Sequence, residues 1–284
     1  MLRRSWATPR RRPDTMPIVA PSGPHPLVVV HAPRARTRAM LSRQLPRRRV
    51  RVVTTRRASA VERVLRTSLV DAVIVDLGSA DTDSLGAVSL ALHFPSAVFI
   101  VVTPFRSADA GQIAAAVAAG ASAVLADGPD DGLLASTVFA RGFSGRFASA
   151  LGDPPAPLAL DTPLTIAAWR WMVEHVQQPL RSSEVAKALS VTREHLSRSF
   201  ACEAAASLKR IMDLVRLLAA AELAKNPACD GKDVARILGF RTAAQLSLMT
   251  QRLLSARLTS LSALRGVDVI ERFMLASRGR AGGR

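Results

Sequence analysis

The sequence predicts two domains of different class: an α/β domain built on a five-stranded parallel sheet, then an all-α domain with two helix-turn-helix units. Three observations predict this. Short, wholly apolar runs alternate with helical stretches between residues 25 and 143. Glycines and prolines break that rhythm between 144 and 162. Two similar motifs, each opening on an apolar residue followed by Ala (Val185-Ala186 and Val234-Ala235), then lie about fifty residues apart. The expected organisation is a disordered basic arm over 1–24, an α/β domain over 25–143, a linker over 144–162, a double helix-turn-helix domain over 163–265 and a C-terminal helix or tail over 266–284.

The arm holds Arg3, Arg4, Arg10, Arg11 and Arg12 among five prolines and has no apolar centre, so it does not read as a secretory signal. Strands are expected at 27–30, 50–53, 72–77, 97–102 and 121–125. The helices between and after them fall at 36–45, 58–68, 84–93, 108–119 and 132–141. Continuous apolar strands alternating with helices imply a parallel sheet covered on both faces. Five such units in so short a stretch fit a flavodoxin-like order, in which functional groups gather at the carboxyl ends of the strands. The densest basic cluster is Arg47, Arg48, Arg49, Arg51, Arg56 and Arg57 around the second strand. It reads either as a phosphate-contacting patch or as a charged edge that blocks sheet-to-sheet pairing.

Asp76 closes the third strand in Asp71-Ala72-Val73-Ile74-Val75-Asp76, Thr103 closes the fourth ahead of Pro104-Phe105, and Gly120-Ala121-Ser122-Ala123 leads into the fifth. On these residues the region 26–143 resembles a response-regulator receiver domain. The resemblance implies that Asp76 is the phosphoacceptor and Thr103 the switch hydroxyl. Two positions depart from the pattern. The family's acidic, magnesium-holding pair after the first strand is His31-Ala32 here, and the lysine after the fifth strand is Asp127-Gly128. Phosphoryl transfer to a carboxylate needs a cation against the charge on the phosphate oxygens. A hard cation needs several oxygen ligands, and Asp76 alone does not supply them. The domain is therefore expected to act without phosphorylation, as a place for a homodimer or a docked partner.

In the second half, Thr162-Pro163 starts a helix with a capping hydroxyl and a proline in the first turn, and Ile166, Trp169, Met172 and Val173 form its core face. The first motif follows as Ser183-Glu184-Val185-Ala186-Lys187-Ala188-Leu189-Ser190-Val191-Thr192-Arg193-Glu194-His195-Leu196-Ser197-Arg198-Ser199-Phe200. The second opens Lys232-Asp233-Val234-Ala235-Arg236-Ile237-Leu238-Gly239-Phe240. With Arg216, Ala220 and Leu223 on the helix between them, this region resembles the AraC-type transcriptional regulators. A helix-turn-helix unit lays its second helix in the major groove of DNA. Leu196 and Phe200 sit one turn apart and face inward, which leaves Arg193, Glu194, Ser197 and Arg198 outward. The resemblance makes Glu194, Ser197 and Arg198 base-facing. Thr192 caps the helix where a phosphate is favoured, and Arg193 is the expected phosphate contact. In the second unit Gln245 and Ser247 are the expected polar contacts, with Arg241 and Arg252 for phosphates, but Leu248 stands where the family offers an arginine.

Composition bounds the function. A net charge of +17 points to a polyanionic partner, here double-stranded DNA. Cys202 and Cys229 match no metal or disulfide spacing, so a reducing cytoplasm, at the nucleoid, is the expected compartment. No apolar run approaches the ~18 residues of a membrane span. His25, His31, His93, His175 and His195 form no catalytic or metal-binding pattern, and no glycine-rich phosphate loop occurs. No enzymatic activity, metal, cofactor or small-molecule ligand is expected.

Overall fold

The computed structural model describes residues 25–78, 82–203 and 206–281; the expected basic arm lies outside them. In chain order the first half is β1 (Leu27–His31), α1 (Ala35–Gln44), β2 (Arg51–Thr55), α2 (Ala58–Thr67), β3 (Ala72–Asp76), α3 (Thr82–Ser89), β4 (Val98–Thr103), α4 (Ala110–Ala118), β5 (Ala123–Ala126) and α5 (Asp131–Arg141). All strand pairs are parallel and the order is β2-β1-β3-β4-β5, the flavodoxin-like order. β1, β3 and β4 are buried along their whole length, which is why their sequences are continuously apolar. One face of the sheet packs with α2, α3 and α4 through Val61, Leu65, Val88 and Ala116. The other packs with α1 and α5 through Leu41, Leu134 and Val138.

The second half is helical: α6 (Phe143–Ala150), α7 (Pro163–Glu174), α8 (Ser182–Ala188), α9 (Arg193–Glu203), α10 (Leu208–Leu223), α11 (Gly231–Ile237), α12 (Ala243–Leu254) and α13 (Gly266–Ala281). They share one core that includes Trp169, Phe200, Leu214 and Phe273, all fully buried. α10 runs through its middle and buries eleven residues. Arg216 on α10 lies 3.6 Å from the Phe240 ring centroid and donates to the Leu238 carbonyl at 3.0 Å, which ties the long helix to the turn after α11. Burial holds its pKa below the usual guanidinium value.

The segment 144–162, expected as a partly extended linker, begins with helix instead. Phe143 and Phe147, four residues apart, stack at 5.5 Å between ring centroids and enter the helical core. The glycines there serve close approach. A Cβ on Gly145 would stand 2.0 Å from the Phe139 carbonyl oxygen, and one on Gly142 would stand 2.6 Å from that of Val138. They let α6 fold back against α5. The C-terminal stretch 266–281 is likewise a packed helix, with Val269 and Phe273 fully buried.

The two halves are joined by specific polar contacts. The Asp71 carboxylate accepts from the Leu27 N–H at 2.9 Å, the Ser144 N–H at 2.8 Å and Gln177 at 3.5 Å; burial raises its pKa. Asn226, just past α10 and 2% exposed, accepts from the Ser96 N–H at 2.9 Å and donates to the Ser96 hydroxyl at 2.8 Å. Arg66 on α2 pairs with Asp233 on α11 at 3.1 Å and also donates to the Ala228 carbonyl. The α/β domain thus grips the helical half partly through α11.

Candidate nucleic-acid interface

α8 and α9, and α11 and α12, are two helix pairs with the same turn. In the first, the Ser190 N–H bonds the Lys187 carbonyl and the Val191 N–H bonds that of Ala186. In the second, Gly239 bonds Arg236 and Phe240 bonds Ala235. These paired bonds close a helix end around one left-handed residue, Ser190 at φ +56° and Gly239 at φ +67°. The following helix is capped alike in both. Thr192 Oγ1 accepts the His195 N–H, and Thr242 Oγ1 accepts the Gln245 N–H, each at 3.1 Å. Val185, Ala186 and Leu196 are buried, and so are their counterparts Val234, Ala235 and Leu246.

The outward faces differ. On α9, Leu196 and Phe200 are fully buried, and Arg193, Glu194, Ser197 and Arg198 are all exposed. Arg193 and Glu194 are 3.9 Å apart, a loose pair in solvent. Among the described residues, no side-chain hydrogen bond or ion pair engages Ser197 or Arg198, and none joins α9 to the α/β domain. α9 therefore offers an undamped guanidinium, a hydroxyl and a carboxylate over a rigid seam.

On α12 the expected contact residues are largely occupied. The Gln245 amide oxygen accepts the N–H of Arg241, the residue before the N-cap Thr242, at 3.1 Å. Arg252 pairs with Asp213 at 3.4 Å, and Ser247 is half-buried. Arg241 is exposed, and Leu248, fifty positions after Arg198, is 70% exposed. The structure thus gathers the four outward α9 residues on one face, while only Arg241 of the second set stands clear.

At the carboxyl ends of the strands, Asp76 and Thr103 are 2% and 1% exposed. Arg34, which sequence reasoning missed, grips the Asp76 carboxylate with Nη2 at 3.0 Å from Oδ2 and 3.1 Å from Oδ1, and with Nε at 3.3 Å. The Gly78 N–H adds a bond at 2.8 Å. Gly78 itself makes room, because a Cβ there would lie 2.5 Å from Arg34 Nη2. Where the receiver pattern has its acidic pair, His31 is fully buried, with Nδ1 3.2 Å from the Thr55 hydroxyl. Thr103 donates to Asp109 at 3.2 Å. This donor set does not fit magnesium: the Asp76 carboxylate already holds a guanidinium, and among the described residues no group of three or more His, Cys, Asp or Glu side chains is placed to hold a metal ion.

No protein-family profile and no curated protein matches this chain. Among solved structures, it is similar to a response regulator from Thermotoga maritima at 22% identity, over 40% of this chain and 94% of that one, with a TM-score of 0.35. A response regulator from Burkholderia pseudomallei with a phosphorylated aspartic acid matches at 19% identity, over 62% of this chain and 98% of that one (TM-score 0.34). Full-length FixJ from B. japonicum matches at 13% identity, over 81% of this chain and 96% of that one (TM-score 0.36). The chain's own sheet, five parallel strands in the order β2-β1-β3-β4-β5, is flavodoxin-like, and among the described residues no helix is long and apolar enough to cross a membrane.

Proposed function

We propose that this protein is a sequence-specific DNA-binding transcriptional regulator whose α8–α9 pair is a helix-turn-helix unit of AraC type. The observation that carries the reading is the α9 face: Arg193, Glu194, Ser197 and Arg198 exposed above a fully buried Leu196–Phe200 seam, in a helix pair whose turn recurs in α11–α12. Inserted in a major groove, Arg198 grips a guanine through O6 and N7, Glu194 accepts from a cytosine amino group, and Ser197 bonds either. Arg193 and the N-terminus of α9 take phosphates. The second unit contributes mainly phosphate contacts, through Arg241.

The α/β domain serves in this reading as a phosphorylation-independent platform for a second copy or a protein partner. The Arg34–Asp76 pair supports that part, since the guanidinium stands where cation and phosphoryl group would have to enter. Incubating the full chain with magnesium and a small-molecule acyl phosphate is expected to leave its intact mass unchanged; a phosphoryl adduct on Asp76 would refute this.

DNA recognition is tested by selecting binding sites from a random duplex pool at about 150 mM salt, where nonspecific phosphate binding is already weakened. Wild-type protein is expected to recover a motif that Arg198→Ala loses. The competing reading, an adaptor without specific DNA binding, draws on the exposed Leu248, and equal, motif-free binding by both proteins would favour it.

A further inference from the structure

We infer that the β2 edge of the α/β domain is a second duplex-binding surface, a phosphate-tracking rail used in addition to α9. The inference rests on the proposed function for its choice of partner. Residues 25–61 contain ten arginines and no Asp or Glu. Sheet order puts β2 at the edge, so the arginines before, on and after that strand line one margin of the domain. Three of the ten are engaged within the domain. Arg34 holds Asp76, Arg38 donates to the Ala32 and Pro33 carbonyls at 2.5 Å, and Arg49 stacks 4.6 Å above Phe139. By contrast Arg43, Arg47, Arg48, Arg51, Arg56 and Arg57 are all exposed, and among the described residues none of them has a side-chain hydrogen bond or ion pair. Among the described residues, two acidic groups beside α2 are committed elsewhere: Asp83 accepts the Ala58 N–H at 3.0 Å and lies 3.5 Å from His31 Nε2, and Glu62 pairs with Arg66 at 3.0 Å.

Charged side chains on an edge strand serve as gatekeepers against pairing; this margin goes further, with five free guanidiniums, Arg47, Arg48, Arg51, Arg56 and Arg57, before, on and after the strand. Each is permanently charged and shaped to take two phosphate oxygens. Arg47 and Arg48 precede the strand and Arg56 and Arg57 follow it. At about 3.3 Å per residue the rail is roughly 17 Å long, or about five base pairs at 3.4 Å each. Beside it runs a shallow groove of about 360 Å³, lined by Ser42, Arg47, Val50, Val52 and Thr54. The partner this fits is a polyanion with evenly spaced charges. A protein partner would want an apolar anchor at the centre of the contact, and the exposed large apolar side chains (Leu92, Phe105, Val117, Leu133, Leu248, Val267 and Leu275) all lie on other segments.

The test is a salt titration of duplex binding by the full chain, comparing wild type with the combined variant Arg47→Gln, Arg48→Gln, Arg51→Gln, Arg56→Gln and Arg57→Gln, whose fold is checked by its unfolding transition. Each phosphate contact contributes about 0.9 to the slope of log affinity against log salt. The variant is expected to lose about 3 to 4 from that slope and at least tenfold in affinity at about 150 mM salt, while keeping the same preferred sequence. A slope within about 1 of wild type would overturn the rail and leave the α9 reading standing. A wild-type slope with no sequence preference, reduced in the variant, would keep the rail and sink the α9 reading. Binding of polyglutamate as tight as of duplex, abolished by the same substitutions, would overturn DNA as the occupant.

Discussion

The α8–α9 and α11–α12 pairs share a turn, a cap and a buried seam, yet they present different chemistry at matching positions fifty residues apart. Arg198 answers to Leu248, Glu194 to Ala244, and Phe200 to Thr250. The first pair keeps Ser197 and Arg198 free, with only a loose Arg193–Glu194 pair in solvent; the second engages Gln245 with the Arg241 N–H and Arg252 with Asp213, and its α11 is held by Arg66 of the α/β domain. The difference teaches that a shared backbone frame does not carry a shared role. Hydrogen bonds within the turn preserve the frame, which leaves outward side chains free to differ between the two pairs.

Substitutions at matching positions sharpen this contrast. The largest effect is expected in the cores. Phe200→Ala empties a fully buried aromatic site and should cost about 3–5 kcal/mol, whereas Thr250→Val loses one bond to the Leu246 carbonyl and should cost about 1 kcal/mol. Urea denaturation measures both, and equal costs would break the comparison. Next comes recognition. Arg198→Ala should lose about 1–3 kcal/mol of discrimination at one guanine, and Leu248→Ala should change nothing. Leu248→Arg should tighten binding and lengthen the recovered motif; a motif unchanged by it would mean that α12 does not face DNA. The smallest effect lies in the turns. Gly239→Ala should cost about 1 kcal/mol at its left-handed φ, while Ser190→Gly should gain up to about 1 kcal/mol. Melting temperatures that move the same way for both would show that the two turns are not equivalent.

Much of this was legible in the sequence, because burial writes itself in locally. β1, β3 and β4 are buried on both faces and therefore read as unbroken apolar runs, and the Leu196–Phe200 seam follows from helical periodicity alone. The free α9 face is its complement. What was missed depends on partners far along the chain. Arg34 meets Asp76 across 42 positions, and nothing beside either residue announces the pair. The helix at 143–150 hid behind glycines that suggest flexibility, although the four-residue spacing of Phe143 and Phe147 was its trace. Thr242-x-x-Gln245 has the spacing of a capping box, yet Gln245 accepts from Arg241, one residue before the N-cap, so its exact partner was not readable. The interdomain contacts of Asn226 and Arg66 carry no local sign at all.

The central claim, that α9 reads base edges in the major groove, is tested most directly by dimethyl sulfate protection of guanine N7 on a selected duplex. The account predicts at least one guanine protected by wild-type protein and by Leu248→Ala but methylated at the free-DNA rate with Arg198→Ala. An identical protection pattern for all three proteins, or protection of no guanine at all, would contradict it.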